Sequence, residues 1–436
     1  MSTGATTLDA LRPATADVRA ALIPQRILNR VELGFSFLGL ALSTNAVVPL
    51  VLNPAIGVDP SITVADPFSR PLWALVILFL LSGLVRDGRR VLAAAVRNAP
   101  ILALCWLAAL SSLWSSVPGT TMTDALLLFV TTVLGFYIGV RFELREVVAM
   151  VAWLGLLIAV LSAVFALALP RFGMDPAHAG DWRGVFTTKN ELGRMMVIGG
   201  VAWLALLLTG EARRRSWLCA LFVIFVGAES GSRTALAVAS LMTVVWSLVW
   251  LFRRRGQRWI PIKGLAVSGC VAVAVLAITS QGFLLKVIGA DSSFTGRTGI
   301  WNAVLQDVRV HAWFGYGFDG FWLGIDSRAI DVMRAVGFMP PHAHDGYLDL
   351  LLNLGLIGAA VFVLAIAVIA RNGWRSLHRQ TGTARMFPLV FLVLFLLYNI
   401  SESSLVSKQS LTWLVLCVVA ASAAVHEPRP AEGPAT

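Results

Sequence analysis

Long apolar segments dominate this 436-residue chain and constrain its fold more than any other feature. Crossing the hydrocarbon core of a membrane takes about 20 apolar residues, and about twelve segments approach that length. Their approximate ranges are 31–54, 71–86, 99–115, 121–140, 146–169, 191–210, 216–230, 234–252, 264–285, 346–370, 386–400 and 409–425. Charged residues make up 14% of the chain, whereas soluble domains carry about 25%. The sequence therefore predicts an all-α polytopic membrane protein with about twelve transmembrane helices.

The net charge of +11 has a topological explanation. Its arginines form short blocks between the apolar segments, as in helical membrane proteins, where Lys and Arg accumulate in cytoplasmic loops. We therefore expect membrane lipids, and no nucleic acid, as partners. With both termini inside, the chain divides into a cytoplasmic N-terminal segment (1–30), a membrane domain (31–425) and a cytoplasmic tail (426–436).

The same orientation places one long polar interval, residues 286–345, outside. Connections of this length are usually functional or disordered. Aromatic residues such as Trp301, Trp313 and Trp322 argue against disorder, because disordered segments are depleted in them. This loop is expected to hold the active site.

Several positive residues on the outer side are not explained by topology. They are Arg183, Lys189 and Arg194 near the start of the sixth apolar segment, Arg233 in a tight turn, and Arg297 in the long loop. Because a charge at a helix centre costs about 2.5–3.5 kcal/mol on insertion scales, such residues suggest function. For Glu191 and Arg194, three residues apart, a local ion pair is the structural alternative.

The turn at residues 229–234 combines Ser and Gly, which favour turns and helix caps, with Arg233. A cation is unfavourable at a helix N-terminus, whereas the free backbone N–H groups there suit an anion. Together the arginine and the helix end would bind a phosphate group.

His342 and His344 lie beside Asp345 at the end of the long loop. A neutral imidazole can accept a proton at physiological pH. Zinc binding is the alternative, although no further ligand spacing is visible on the outer side. We expect no metal and no cofactor. Outward arginines, histidines and membrane-edge aromatics together suit glycosyl transfer from a lipid diphosphate, since arginines bind diphosphates through charge-assisted hydrogen bonds.

Four motifs in order carry a family resemblance. They are W-R-G-x-F-x-x-K-N-x-L-G at Trp182–Gly193, S-x-S-R-T at Ser230–Thr234, G-R-T-x-I-W at Gly296–Trp301 and H-A-H-D-G-Y-L at His342–Leu348. The set resembles the O-antigen ligase and Wzy polymerase superfamily, and within it the ExoQ-type exopolysaccharide polymerases. The resemblance implies a GT-C-like helical fold and a metal-independent, inverting glycosyltransferase that uses undecaprenyl-diphosphate-linked sugars in the periplasm.

The resemblance also implies residue roles. His344 matches the proposed base for the acceptor hydroxyl, and Arg233 and Arg297 match the arginines that hold the diphosphate. Further substrate-binding candidates are Arg183, Lys189, Asn190, Glu191, His342, Asp345, Tyr347 and Glu402. Many members carry Asn or Ser where this chain has Asp345, and an adjacent carboxylate would raise the pKa of His344.

The leading interpretation is a polymerase of the bacterial inner membrane with its active site facing the periplasm. It would move a glycan from undecaprenyl diphosphate to the hydroxyl of a lipid-linked repeat unit, with chain-length regulator and export proteins as further partners. An O-antigen ligase, delivering to lipid A core or to protein, shares this chemistry and stays open. A lipid-linked sugar transporter is a second alternative, although the internal repeats typical of transporters are not visible.

Overall fold

The computed structural model describes residues 25–46, 69–207, 214–253, 297–323, 329–338, 340–379 and 384–425. Regular structure in these ranges is helical, apart from one isolated bridge between Met174 and Trp182. The helices are α1 (Gln25–Leu42), α2 (Ser69–Arg97), α3 (Ala99–Leu110), α4 (Pro118–Arg141), α5 (Leu144–Ala168), α6 (Lys189–Leu207), α7 (Arg214–Glu229), α8 (Arg233–Arg253), α9 (Arg297–Val310), α10 (Ala329–Val336), α11 (Gly346–Arg379), α12 (Phe387–Tyr398) and α13 (Leu411–Val425). The predicted all-α fold is confirmed.

Five of the described helices are long and apolar enough to cross a membrane. They are Ser69–Arg97, Pro118–Arg141, Leu144–Ala168, Lys189–Leu207 and Gly346–Leu377. Five shorter apolar helices accompany them: Ala99–Leu113, Ser216–Glu229, Arg233–Val245, Phe387–Tyr398 and Leu411–Ala424. The chain is therefore a multi-pass membrane protein, while the count of twelve spans stays a prediction. The predicted segment 264–285, residues 1–24 and the tail 426–436 lie outside the described residues.

Some helix bounds differ from the predicted segments. The first helix runs from Gln25 to Leu42 instead of over 31–54, and the second extends to Arg97 instead of ending at residue 86. Ion pairs explain the second difference, because buried Glu32 of α1 binds Arg86 of α2 and also lies 2.5 Å from Nε of Arg141 on α4. Charged residues thus continue the helix beyond its apolar part.

Small residues allow close helix contacts in the core. Cβ atoms at Gly135 and Gly139 of α4 would collide with the backbone or side chains of α13, and α5 meets α6 where Gly155 faces Gly199. Without a hydrophobic driving force between helices in lipid, such close approach supplies packing energy. Trp413 of α13 is fully buried and donates from Nε1 to Thr132 Oγ1 at 2.9 Å.

The long polar interval packs against a break in α11. Gly355 has φ 62° and ψ −162°, and a Cβ there would collide with the backbone of Trp313. Beyond the break, the Leu356 N–H donates to the Ala312 carbonyl at 2.8 Å, and before it the Tyr316 N–H donates to the Leu352 carbonyl at 2.7 Å. The predicted order of this interval is confirmed for residues 297–323, which are thereby fixed next to the first turns of α11.

The close approach of α5 and α6 gives a stability prediction. Gly155→Ala places a Cβ 2.7 Å from the Gly199 Cα, and overpacking of this kind costs about 1–3 kcal/mol. Gly88→Ala is the matched control, since its Cβ meets nothing within 4 Å and alanine favours a helix by about 1 kcal/mol over glycine. We expect Gly155→Ala to lower the thermal unfolding temperature of the purified protein in detergent. A Gly155→Ala protein that unfolds no earlier than Gly88→Ala would contradict this helix contact.

Candidate active site

The segment His342–Ala343–His344 is held from both sides through the backbone of Ala343. The Ala343 N–H donates to both carboxylate oxygens of Asp349, at 3.2 and 3.1 Å. The Ala343 carbonyl accepts from Trp301 Nε1 at 3.0 Å. Because both polar backbone groups of this fully buried residue are engaged, the two histidines flanking it have fixed positions.

Asp349 joins four parts of the chain. Besides Ala343, its buried carboxylate accepts from Trp322 Nε1 at 2.9 Å and from the Ser403 hydroxyl. It therefore connects the first turn of α11 to the histidine segment, to the 311–323 segment and to the loop that follows α12. The sequence interpretation missed Asp349. Its signal was visible, as an acidic residue inside an apolar segment is costly and marks a specific role.

The two histidine rings contact each other, with ring centroids 4.1 Å apart. The backbone N–H of His344 donates to His342 Nδ1 at 3.1 Å, so the neutral His342 ring carries its proton on Nε2. His344 has φ +52°, a strained conformation for a residue with a side chain. In the described part of the chain, the His344 Nδ1 atom is buried and has no hydrogen-bond partner.

Burial and neighbouring cations keep both rings neutral. Burial, the His344 ring and the charges of Arg194 and Arg297 lower the pKa of His342 to about 3. Burial and Arg297 lower the pKa of His344 to about 4. An unprotonated imidazole is the form that can accept a proton.

Asp345 does not act on His344 as the sequence suggested. Its Oδ1 atom accepts the backbone N–H groups of Tyr347 at 2.8 Å and Leu348 at 3.1 Å, which caps the start of α11. The expectation that this carboxylate raises the pKa of His344 is wrong, because the carboxylate serves the helix end and burial dominates at the ring. Burial raises the pKa of Asp345 itself.

Arg297 and Glu402 lie beside the histidines. Arg297, the first residue of α9, donates from Nη1 to the Ser401 carbonyl at 2.5 Å, and its Nη2 lies 3.8 Å from Glu402 Oε1. Burial raises the pKa of Glu402, while the charges of Arg194 and Arg297 lower it. Two arginines, one carboxylate and two neutral imidazoles thus share one electrostatic environment.

The N-terminus of α6 is capped by its own residues. Glu191 Oε2 accepts from the Thr187 hydroxyl at 2.7 Å and from the backbone N–H of Thr187 and of Thr188 at 3.2 Å. The Glu191 N–H donates in turn to the Thr188 hydroxyl at 3.3 Å, which completes a capping box. Glu191 therefore has a helix-capping role here, which differs both from the suggested ion pair with Arg194 and from substrate binding.

Lys189 and Asn190 bind neighbouring loops. Lys189 Nζ forms a 2.6 Å ion pair with Asp181. The Ser232 hydroxyl donates to Asn190 Oδ1 at 2.9 Å, and its oxygen accepts the Ala235 N–H at 3.3 Å at the start of α8. These contacts bring the motif at residues 182–193 and the motif at residues 230–234 together.

Arg183 and Tyr347 make structural contacts. The Arg183 side chain is 2% exposed, and its guanidinium donates to the carbonyls of Phe172 at 2.8 Å and Arg171 at 3.4 Å. The Tyr347 hydroxyl donates to the Leu396 carbonyl at 2.9 Å and so joins α11 to α12. Both side chains are thus held by backbone carbonyls.

Arg233 lies at one end of an apolar groove. It is exposed, begins α8 directly after the capping Ser232, and lines a groove of about 500 Å³ between α6, α7 and α8. The other lining residues are mainly apolar, such as Met196, Leu204 and Trp217. Gly193, the neighbour of Arg194 in sequence, lines the same groove.

The arrangement can bind an anion and accept a proton. Arg194 and Arg297 supply positive charge, and His344 supplies a buried, unprotonated nitrogen. In the described ranges, no group of three or more His, Cys, Asp and Glu side chains is placed to hold a metal ion. His342 Nδ1 is moreover occupied by a backbone N–H.

Comparisons with known proteins relate part of this chain to one family. The O-antigen ligase family model matches residues 216–363, a range that contains Arg233, Arg297 and His344. The chain is 22% identical over 296 residues to the exopolysaccharide production protein ExoQ of Rhizobium meliloti. This alignment covers 64% of this chain and 66% of that protein. It is 21% identical over 328 residues to a predicted polysaccharide ligase of Rickettsia felis, covering 73% of this chain and 79% of that protein. The resemblance indicated by the motifs is confirmed, with residues 216–363 matching the O-antigen ligase family.

Proposed function

We propose that this protein is a polysaccharide polymerase that transfers a glycan from undecaprenyl diphosphate to a hydroxyl of a lipid-linked repeat unit. The family match and both relatives support a polysaccharide polymerase or ligase. The observation that carries the finer proposal is the buried, unpartnered Nδ1 of His344 beside Arg297. It offers a base and an anion site at the same place.

Arg194 and Arg297, which we call the cationic cluster, suit the binding of a diphosphate. The charges of Arg297 and Arg194 both lower the pKa of His342 and both oppose the rise in the pKa of Glu402. Guanidinium groups bind phosphate oxygens through short, charge-assisted hydrogen bonds. Arg233 adds a third guanidinium at the head of the apolar groove, and the groove has the composition needed for an isoprenoid chain.

The transfer then needs one proton acceptor. The acceptor hydroxyl oxygen forms a bond to the anomeric carbon of the donor sugar, and the bond from that carbon to the diphosphate oxygen breaks. The hydroxyl proton moves to His344 Nδ1, and the arginines stabilise the departing diphosphate. Attack opposite the leaving group inverts the anomeric centre, and no metal takes part.

The acceptor distinguishes two versions of this reaction. A ligase would use the same donor and the same base but deliver the glycan to lipid A core or to a protein, and the Rickettsia relative favours this alternative by its name. The H-A-H-D-G-Y-L form of the histidine motif favours the polymerase. The positive-inside pattern places the reaction at the periplasmic face of the inner membrane with both termini cytoplasmic, where chain-length regulator and export proteins would be partners.

The lipid profile of a deletion strain tests the function. If the protein is a polymerase, single repeat units accumulate on the undecaprenyl carrier in cells that lack it. Re-expressed His344→Ala, Arg297→Ala or Arg233→Ala should restore less than about 1% of the polymer, since removing a catalytic base or a charge clamp costs 10²-fold or more. Lipid extraction, mass spectrometry and polymer gels give the readout.

His178→Ala and Arg334→Ala are the matched controls for these variants. Both residues are exposed, and each side chain pairs with a nearby carboxylate, Asp175 and Asp331 respectively. Full polymer from correctly inserted His344→Ala would overturn the proposal. Full-length polymer retained on the carrier of the deletion strain would identify a ligase instead.

The lowered pKa of His344 predicts an acid-tolerant reaction. A base works in its neutral form, which persists above its pKa, so a pKa of about 4 in place of 6.5 extends the active range downward. The kcat/KM for purified protein and lipid-linked donor should stay level from neutral pH to below 6.5 and fall only as the pH approaches 4. Because kcat/KM reports the free enzyme, a half-maximal point at or above the ordinary imidazole value would contradict this environment for His344.

Metal independence is tested with a chelator. Transfer by the purified protein should be unchanged within about twofold by EDTA, since Arg297, Arg194 and Arg233 supply the positive charge that a metal would otherwise provide. Loss of activity with EDTA and recovery with zinc would instead support metal binding by His342 and His344.

A further inference from the structure

A second cavity, separate in its lining from the apolar groove, lies beside the histidine pair. It has a volume of about 250 Å³ and lies between the 311–323 segment, the first two turns of α11 and residues 403–408. Its lining includes polar and aromatic side chains, namely Asp319, Trp322, His342, Asp349, Asn353 and Lys408. His342 lines it directly, and its ring is in contact with the ring of His344.

Asn353 points to a ligand for this cavity. Its side chain is 9% exposed, and its Oδ1 atom is buried without a hydrogen-bond partner among the described residues. The backbone carbonyl of Asn353 accepts the Gly317 N–H at 3.1 Å, which fixes the residue against the 311–323 segment. Buried polar atoms are nearly always satisfied, so an unsatisfied acceptor on a cavity wall indicates a missing hydrogen-bond donor.

The charges of the cavity exclude a phosphate. Lys408 is its one positive residue among the described lining, and its ammonium group pairs with Asp319 at 3.0 Å and with Asp124 of α4. Asp349 adds a further carboxylate, already engaged by Trp322, Ser403 and Ala343. With its cation neutralised, the cavity suits an uncharged ligand that carries hydroxyl donors.

We propose that this cavity is the acceptor-sugar subsite, which holds an uncharged sugar residue at the end of the acceptor glycan. The inference rests on the proposed transfer reaction and names where its second substrate binds. A sugar hydroxyl donates to Asn353 Oδ1, the Trp322 ring covers an apolar face of the sugar, and the hydroxyl that reacts faces the histidine pair. The donor diphosphate occupies the cationic cluster, so the two substrates meet at His344.

Binding by the purified full-length protein tests the subsite. The probes are uncharged oligosaccharides, prepared by partial acid hydrolysis of the host's own polysaccharide, and undecaprenyl diphosphate. Asn353→Leu keeps the branched shape of the side chain but removes the acceptor. It should weaken oligosaccharide binding about tenfold or more while changing undecaprenyl diphosphate binding less than about twofold. Arg233→Ala should show the opposite pattern.

Ser376→Ala is the matched control. Ser376 is also buried on α11 with an unpartnered side-chain oxygen, but it lies 23 residues beyond Asn353 in sequence, about 30 Å along the helix. Both affinities should stay unchanged in this variant. If Asn353→Leu fails to fold, Asp319→Asn tests the neutral character of the cavity instead, because it removes a carboxylate that neutralises Lys408 and should likewise weaken binding of an uncharged sugar.

The outcomes separate this inference from the proposed function. Oligosaccharide binding that is unchanged in folded Asn353→Leu and Asp319→Asn, or absent in the wild type, would overturn the subsite even if the His344→Ala strain still lacks polymer. Preference for acidic over neutral fragments would overturn it as well. Normal polymer in the His344→Ala strain would overturn the transfer reaction itself, whatever the fragments bind.

Discussion

The buried carboxylate of Asp349 determines where the histidines lie. A carboxylate in an apolar environment is expensive unless hydrogen bonds compensate it, and this one accepts from an indole, a hydroxyl and the backbone N–H of Ala343. The donors come from three segments far apart in sequence. Removing the carboxylate would leave their buried polar groups unsatisfied, so the same interaction that positions His344 also fixes the segments around the cavity at Asn353.

Positive charge near the base has two effects. Arg297 lowers the pKa of His344 in the unliganded protein, which keeps the ring neutral but also weakens it as a base. Under the proposed function, a bound diphosphate would neutralise that charge and raise the affinity of the ring for a proton. Glu402, 3.8 Å from the Arg297 guanidinium, compensates part of the charge while the site is empty. His344 would therefore become the stronger base when the donor is bound.

Hydropathy predicted most helices of this chain because the cost of exposing backbone groups to lipid is large and uniform. The motifs predicted Arg297 and His344, which the fold brings together with Glu402. Local hydrogen bonding was harder to predict. Arg183 was selected because a charge at a membrane edge is costly, and Glu191 and Asp345 were selected through the family resemblance, yet backbone groups near helix ends bind all three. Sequence shows that such a charge needs a partner, and only coordinates show whether the partner is the chain itself.

The two cavities differ in polarity and charge, and this difference would determine which substrate binds in which cavity. The groove headed by Arg233 combines an apolar lining with an exposed cation, whereas the cavity at Asn353 combines hydrogen-bonding groups with a cation already neutralised by Asp319 and Asp124. A lipid diphosphate binds favourably in the groove headed by Arg233. It binds unfavourably in the cavity at Asn353, because there it would have to displace a carboxylate from Lys408. An uncharged glycan end has the opposite preference. His342 lines the cavity at Asn353, so under the proposed function the acceptor hydroxyl reaches the histidine pair from this cavity, and the reverse placement of the two substrates is disfavoured by charge.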